Sequence, residues 1–341
     1  MKNINICIVG LGRMGERYIQ ICKKLNFKII AIVDVNKVKL IKIKKKYELT
    51  NCNYYTSLSL MYNRCKINCI IISSTADTHF RFAKKAIENK TKYILIEKPL
   101  CVSVNQCEKL IQLRNKSISK IAVNHQMRYM DQYKLVKKII NSKKFGGLKS
   151  MTLVAGNCGI SMNVTHYIEA FRYITSESPK FVTAWFDKKI LFNPRGKKFK
   201  DRSGSLKVTT SKGTRLYIDV SSDQGHGLKV VYTSKFGQII VDELAGKMFL
   251  NFREKQYLSK PTNFYALPSI YKTMKIKPVN IIASTSSVIK ALINNKKDYV
   301  KLEDGINAVK VIIASYISNN QSNRKIAIDK KFNSKIVYPW A

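Results

Sequence analysis

The sequence is short of long apolar runs, acidic residues, histidines and paired cysteines, and each shortage removes a class of function. No apolar stretch in the 341 residues approaches the roughly 20 that a bilayer-spanning helix needs. The opening run Ile6–Leu11 is too short, and too soon followed by Arg13, for a signal-peptide core. A cytoplasmic protein is expected. The eight cysteines contain no CxxC pair; Cys65 and Cys69 are four apart and Cys101 and Cys107 six apart, and neither pair joins a Cys/His cluster of zinc spacing. Reduced, mostly buried thiols and no metal are expected.

Acidic residues number 21 against 62 basic ones, a formal charge of +41. Such a surplus is what a nucleic-acid or anionic-membrane binder carries. Yet 50 of the 62 are lysine, and lysine, isoleucine and asparagine together are what AT-rich codons encode. The lysines are scattered, apart from one run, Asn36–Leu49, whose Val38, Leu40, Ile41 and Ile43 could pack a helix while its lysines reach water. No basic motif interleaved with aromatics appears, so no specific nucleic-acid partner is expected.

What is present is alternation. Short apolar runs at Asn5–Val9, Lys28–Val33, Cys69–Ser73, Tyr93–Ile96 and Lys120–Asn124 are separated by amphipathic stretches such as Phe80–Asn89 and Val104–Lys116, the pattern of parallel βαβ units. After Arg128 the texture changes. A helical stretch Gln132–Asn141 ends at paired glycines, and strands punctuated by SKG and KFG then read as an antiparallel meander before helix returns at Glu303–Ile317. The fold expected is α/β, a doubly wound parallel sheet over residues 1–122 followed by an α+β domain over 123–341 with an open, mostly antiparallel sheet.

Gly10, Gly12 and Gly15 are spaced G-x-G-x-x-G after the first strand and at the opening of a helix, and Asp34 ends the next strand. This context is what a dinucleotide site requires. Gly10 permits the tight turn, Gly12 lets a pyrophosphate approach the backbone, and Gly15 lets helix and strand pack. Arg13 and Met14 lie in the same turn. The helix N-terminus supplies unpaired N–H groups. A carboxylate at Asp34 accepts ribose hydroxyls and repels a 2′-phosphate, so NAD is favoured over NADP.

"VGLGRMG", "STADTHF" (74–80), "IEKPL" (96–100) and "GISMNVTHYIEAFRYI" (159–174) together resemble the glucose–fructose oxidoreductase/inositol dehydrogenase (Gfo/Idh/MocA) family. "EDGINAVKVIIASYIS" (303–318) resembles the helix that folds back onto that family's nucleotide domain. The resemblance implies an NAD(P)-dependent oxidoreductase acting on CH–OH groups of sugars, cyclitols or nucleotide sugars, and a homo-oligomer joined through the open sheet. It implies that Ser74 and Thr75 pass the nicotinamide ribose, that His79 braces that region, and that Glu97 and Lys98 belong to the cofactor site. Lys98 matches the family's active-site lysine, aimed by a cis bond before Pro99 and able to stabilise charge on the reacting oxygen. His166 matches its catalytic histidine, able to take and return the hydroxyl proton.

The chain departs from the family at Met162, where an aspartate is common. Asn163 is adjacent, and Glu169 stands where the family has a second carboxylate. The acid/base is then His166, Lys98 or a substrate-bound water, or the protein binds nucleotide without turnover. Arg128 is a candidate for contact with cofactor or substrate, Asn163 and Tyr167 for contact with substrate, and His125 for a structural role. The loop "FNPRGKKFKDRSGS" (192–205) carries Arg195 and Arg202, two of only twelve arginines. The loop is either a solvated basic surface or, since guanidinium groups grip phosphate oxygens in pairs, a grip on a phosphorylated or nucleotide-linked sugar.

Overall fold

A computed structural model describes all residues except 1–3, 226, 262–267, 295, 297, 330–331 and 334. The chain divides into two units. The first comprises Met1–Gln126, Ile281–Val309 and Asn333–Ala341, and the second Met127–Asn280 and Lys310–Phe332.

In the first unit strands and helices alternate as β1 (Asn5–Val9), α1 (Arg13–Lys24), β2 (Lys28–Val33), α2 (Lys37–Lys46), β3 (Asn53–Tyr55), α3 (Leu58–Arg64), β4 (Cys69–Ile72), α4 (Ala76–Glu88), β5 (Tyr93–Ile96), α5 (Val104–Asn115) and β6 (Lys120–Val123). The six strands are all parallel, in the order β3-β2-β1-β4-β5-β6. The order reverses between β1 and β4, so their carboxyl ends open the crevice where ligands of such sheets bind. Every residue of β4 and β5 is buried, as strands covered on both faces require. In α2, Leu40 and Ile43 pack inward, but Val38 and Ile41 are 76% and 50% exposed; only half of its apolar residues face the sheet.

The second unit is built on α6 (Asp131–Ile140), β7 (Leu148–Gly156), α7 (Thr165–Thr175), β8 (Pro179–Leu191), β9 (Asp201–Thr210), β10 (Arg215–Ser221), β11 (Leu228–Ser234), β12 (Gly237–Asp242), β13 (Lys247–Arg253) and β14 (Ser269–Lys275). After α8 (Ile281–Ile293), α9 (Leu302–Asn320) and β15 (Ile326–Ala327), the sheet order is β14-β13-β12-β11-β7-β10-β9-β8-β15. It is not a simple meander. β7 enters between β10 and β11, parallel to the first and antiparallel to the second. Alternate residues Met151, Leu153 and Ala155 of β7 face Leu216, Ile218 and Val220 of β10 in register, all buried, while Val154, Trp185, Ile240 and Phe249 remain exposed.

The expected division at residue 122 needs correction. α8 packs on α1, β5 and β6, Val123 N donates to Val300 O, and Tyr338 N donates to Val102 O while Trp340 is fully buried. These late segments therefore complete the first unit. α9 is shared: its residues to Val309 belong to the first unit and the rest to the second. No helix among the described residues is long and apolar enough to cross a membrane, and no three metal-binding side chains cluster among them.

Candidate active site

In the first unit the glycine turn is built by close contact. Gly10 has φ +84°, and a Cβ there would lie 2.5 Å from the Ser74 nitrogen. A Cβ on Gly15 would lie 2.1 Å from Gly10 O. Ser73 Oγ donates to Val9 O and Gly10 O, at 3.0 and 2.8 Å, and locks the turn to the end of β4. Gly12 behaves differently. It is the N-cap of α1, has no side chain to cap it, and a Cβ there would meet nothing within 4 Å. Space and unfilled helix N–H groups coincide, which is what a pyrophosphate needs. Arg13 is exposed and Met14 half-buried in this turn.

Asp34 leans on the same turn. Its Oδ2 accepts Leu11 N at 2.8 Å and its Oδ1 accepts Asn36 N at 3.0 Å. The carboxylate is thus fixed beside the cradle, where ribose hydroxyls would meet it. Lys39 Nζ lies 3.5 Å from Oδ2 and softens its repulsion of a 2′-phosphate. A unit charge at contact is worth on the order of 1–4 kcal/mol at high effective dielectric, and Lys39 moves the preference toward the low end. NADH is expected to bind more tightly than NADPH; Asp34→Ser should narrow the gap and Lys39→Gln widen it. Equal or tighter NADPH binding to the wild type by fluorescence titration would overturn this.

Ser74 Oγ shares a hydrogen bond with Thr78 Oγ1 at 2.7 Å, and Thr75 Oγ1 donates to Asp77 Oδ1 at 2.5 Å. His79 is 1% exposed. Its Nδ1 lies 2.9 Å from Pro99 O and its Nε2 3.1 Å from Ser74 O. Burial pulls its pKa down and these carbonyls oppose the fall. With each ring nitrogen within hydrogen-bond distance of a main-chain carbonyl, His79 braces the loops after β4 and β5.

The Lys98–Pro99 bond is cis, and Lys98 is half-buried at the carboxyl end of β5. Glu97 does not face outward with it. Glu97 Oε1 accepts Tyr18 Oη at 2.5 Å and Asn124 Nδ2 at 2.7 Å, and Oε2 accepts Lys98 N at 3.3 Å. Burial and the Glu97 charge hold the Tyr18 phenol far above its ordinary pKa, so it is the donor. Through these three bonds Glu97 anchors the loop. Tyr18 and Asn124 went unnoticed in the sequence, because only folding brings positions 18 and 124 to 97.

In the second unit a π-helical turn, Ile160–Val164, leads directly into α7. Asp201, 2% exposed, caps it: Oδ1 accepts Ser161 N and Arg202 N at 3.0 and 2.9 Å, and Oδ2 accepts Met162 N at 3.0 Å. A Cβ on Gly159 would lie 2.1 Å from Oδ2, so the chain passes close to the carboxylate. Asn163 is exposed and its Oδ1 accepts Gly159 N. His166 follows, half-buried on the first turn of α7. Asp201 had no local sequence signal; it sits in a basic loop.

Three expected substrate contacts change character. Arg128 donates through Nε at 3.0 Å, and through Nη2, to Glu169 Oε1; the two side chains are 10% and 0% exposed. Burial holds the Glu169 carboxyl above its usual range and Arg128 opposes this. Tyr167 is 4% exposed and donates to Glu243. One residue beyond His166, it is turned about 100° round the helix into the core. Arg202 Nη1 donates to the carbonyls of Asp187 and Lys188 and stitches β9 to β8. Arg195 is different: its Nη1 lies 3.8 Å from Met162 Sδ, and buried Asn193 places Nδ2 3.3 Å from the same sulfur. The loop therefore reaches the turn before His166 through Arg195 alone of the two arginines.

Residues 4–125 match the family described as oxidoreductase family, NAD-binding Rossmann fold. The first unit's Rossmann domain, over these residues, is one of the Gfo/Idh/MocA oxidoreductase family. An inositol 2-dehydrogenase of Serratia proteamaculans is 23% identical over 243 residues, covering 67% of this chain and 70% of that one. Among solved structures, an Agrobacterium radiobacter oxidoreductase in complex with NAD+, L-tartaric acid and magnesium superposes with TM-score 0.80 at 14% identity, covering 96% of this chain and 99% of that one. A super-repressor mutant of Gal80p from Saccharomyces cerevisiae superposes with TM-score 0.77 at 15% identity, covering 95% and 97%. The last two show the fold that this chain shares. Its cofactor is NAD, and the open space at Gly12, the uncapped α1 and the fixed Asp34 fit that group.

Proposed function

We propose that this chain is an NAD-dependent dehydrogenase or reductase acting on a carbinol carbon of a sugar or cyclitol. The observation that carries the reading is Lys98, held by the buried Glu97 at the carboxyl end of β5, in the unit that offers the dinucleotide cradle. NAD+, held at the Gly12 turn and by Asp34, would supply the hydride acceptor for the carbinol carbon. The Lys98 ammonium donates a hydrogen bond to the carbinol oxygen and stabilises charge as the C–O bond gains double-bond character. His166, by its match to the family's catalytic histidine, is the candidate to take the hydroxyl proton and return it in the reverse direction. Relatives named inositol 2-dehydrogenase support the substrate class. The test is absorbance at 340 nm with NAD+ and a panel of inositol, neutral sugars, sugar phosphates and nucleotide sugars. NADH that binds without any turnover would favour the second reading, a nucleotide-binding regulator, for which Met162 in place of the common aspartate is the specific argument.

The finer reading is a phosphorylated or nucleotide-linked substrate, gripped by Arg195 with Asn193 beside Met162. Arg195→Ala should raise KM for a sugar phosphate much more than for its neutral analogue, and the gap should shrink at high salt. Met162→Asp should act in the same sense, because the new carboxylate would compete for Arg195. Equal effects on both substrates would return the loop to a solvated surface. The same reading includes a homo-oligomer paired through the exposed face of the nine-stranded sheet, with Val154, Ile240 and Phe249 buried between copies in a reducing cytoplasm; all eight cysteines are free thiols.

A further inference from the structure

Three separate elements of the first unit deliver a side chain to one buried carboxylate beside Lys98. Tyr18 comes from α1, Asn124 from the residue after β6, and Glu97 from the residue after β5. They are 0%, 1% and 6% exposed. The regular sheet bonding ends here: Glu97 N still donates to Ile72 O and Asn124 N to Ile96 O. At Lys98 the side chain of Glu97 takes over, accepting the Lys98 N–H at 3.3 Å. With Oε1 held by two donors at 2.5 and 2.7 Å, the carboxylate has one rotamer that satisfies it, and Oε2 is left toward Lys98. A buried carboxylate deprived of a donor would seek another, and Lys98 is its neighbour.

We propose that Tyr18 and Asn124 are positioning residues that act through Glu97 to set Lys98, and that Tyr18 ties this setting to the helix receiving the cofactor pyrophosphate. Tyr18 lies six residues beyond Gly12, the N-cap of α1. Any settling of α1 on a pyrophosphate is therefore passed to the Lys98 loop by a single hydrogen bond. On the far side His79 pins Pro99 O, so the dipeptide is held at both ends. The proposal rests on the role given to Lys98 above.

Tyr18→Phe removes one hydroxyl and keeps the ring. Misplacement of a reacting group by about 1 Å can cost up to about 10²-fold, so kcat with NAD+ and the best substrate of the panel should fall about 10- to 100-fold, with KM for that substrate little changed. On a Lys98→Met background Tyr18→Phe should lower kcat no further, because residues acting in series are not additive. A second readout needs no turnover: hydrogen exchange of the peptide 97–103 should quicken in Tyr18→Phe, and NAD+ should slow it in the wild type more than in the variant. A full fall on both backgrounds, or unchanged exchange, overturns the proposal. Normal turnover by Lys98→Met overturns instead the reading of Lys98, while the exchange result still decides whether Tyr18 holds the loop. Should Tyr18→Phe fail to fold, Asn124→Ser removes the other donor and answers through the same measurements.

Discussion

Lys98→Ala is expected to cut turnover by about 10²–10³-fold, the usual loss when one preorganised donor to a developing oxyanion is removed. NADH binding should be largely intact, because the change leaves untouched the Gly12 turn and Asp34, which are proposed to hold the pyrophosphate and ribose. His166→Ala should lower turnover by about 10²–10⁴-fold, the range for a positioned acid/base. Both variants are compared by steady-state rate and by NADH fluorescence titration. A Lys98→Ala protein that turns over normally would move the oxygen-stabilising role elsewhere. Near-normal turnover in His166→Ala would route the proton through Lys98 or a substrate-bound water.

Arg128→Ala is expected to destabilise the protein by about 3–5 kcal/mol, because it leaves a buried carboxylate without its cation. Glu169 is fully buried and Arg128 nearly so; Oε2 of Glu169 has no hydrogen-bond partner among the described residues, so Arg128 on Oε1 carries most of the compensation and the charges of Arg172 and Lys137 add to it. The pH dependence has a definite sign. Burial already holds the Glu169 carboxyl above its ordinary range, so the folded state binds the proton more tightly than the unfolded state, and stability falls as pH climbs through that raised pKa. Without Arg128 the pKa rises further. The deficit should therefore be larger at pH 8 than at pH 5, and Glu169→Gln in the Arg128→Ala background should recover much of it. Denaturant unfolding at the two pH values decides; equal deficits would show that the pair is not what holds this region.

Much of the first unit was legible because its chemistry is local. The strands Asn5–Val9, Lys28–Val33 and Tyr93–Ile96 are bounded as their apolar runs predict, since the inner residues of a strand covered on both faces must be apolar. The glycine turn and Asp34 follow from spacing within one βαβ unit, and the Glu97-Lys98-Pro99 box was recognisable as a word. Short β3 and the apolar α8 passed unnoticed, the first for its length and the second because its pattern does not say which unit it covers.

Only the tertiary structure decided which side chains are occupied. Arg195 and Arg202 look alike in a basic loop, yet one reaches Met162 and the other the carbonyls of β8. Tyr167 and His166 are neighbours in the chain, yet helical rotation sends one to Glu243 and leaves the other half-buried. Arg128 and Glu169, Asp201 and Met162, Tyr18 and Glu97 are separated by 41, 39 and 79 positions. A residue's own type and near neighbours set what chemistry it can do, so the cradle and the lysine are written in the sequence. Whether a buried charge is already partnered depends on chain segments brought together by burial, and that is settled only when the sheets form.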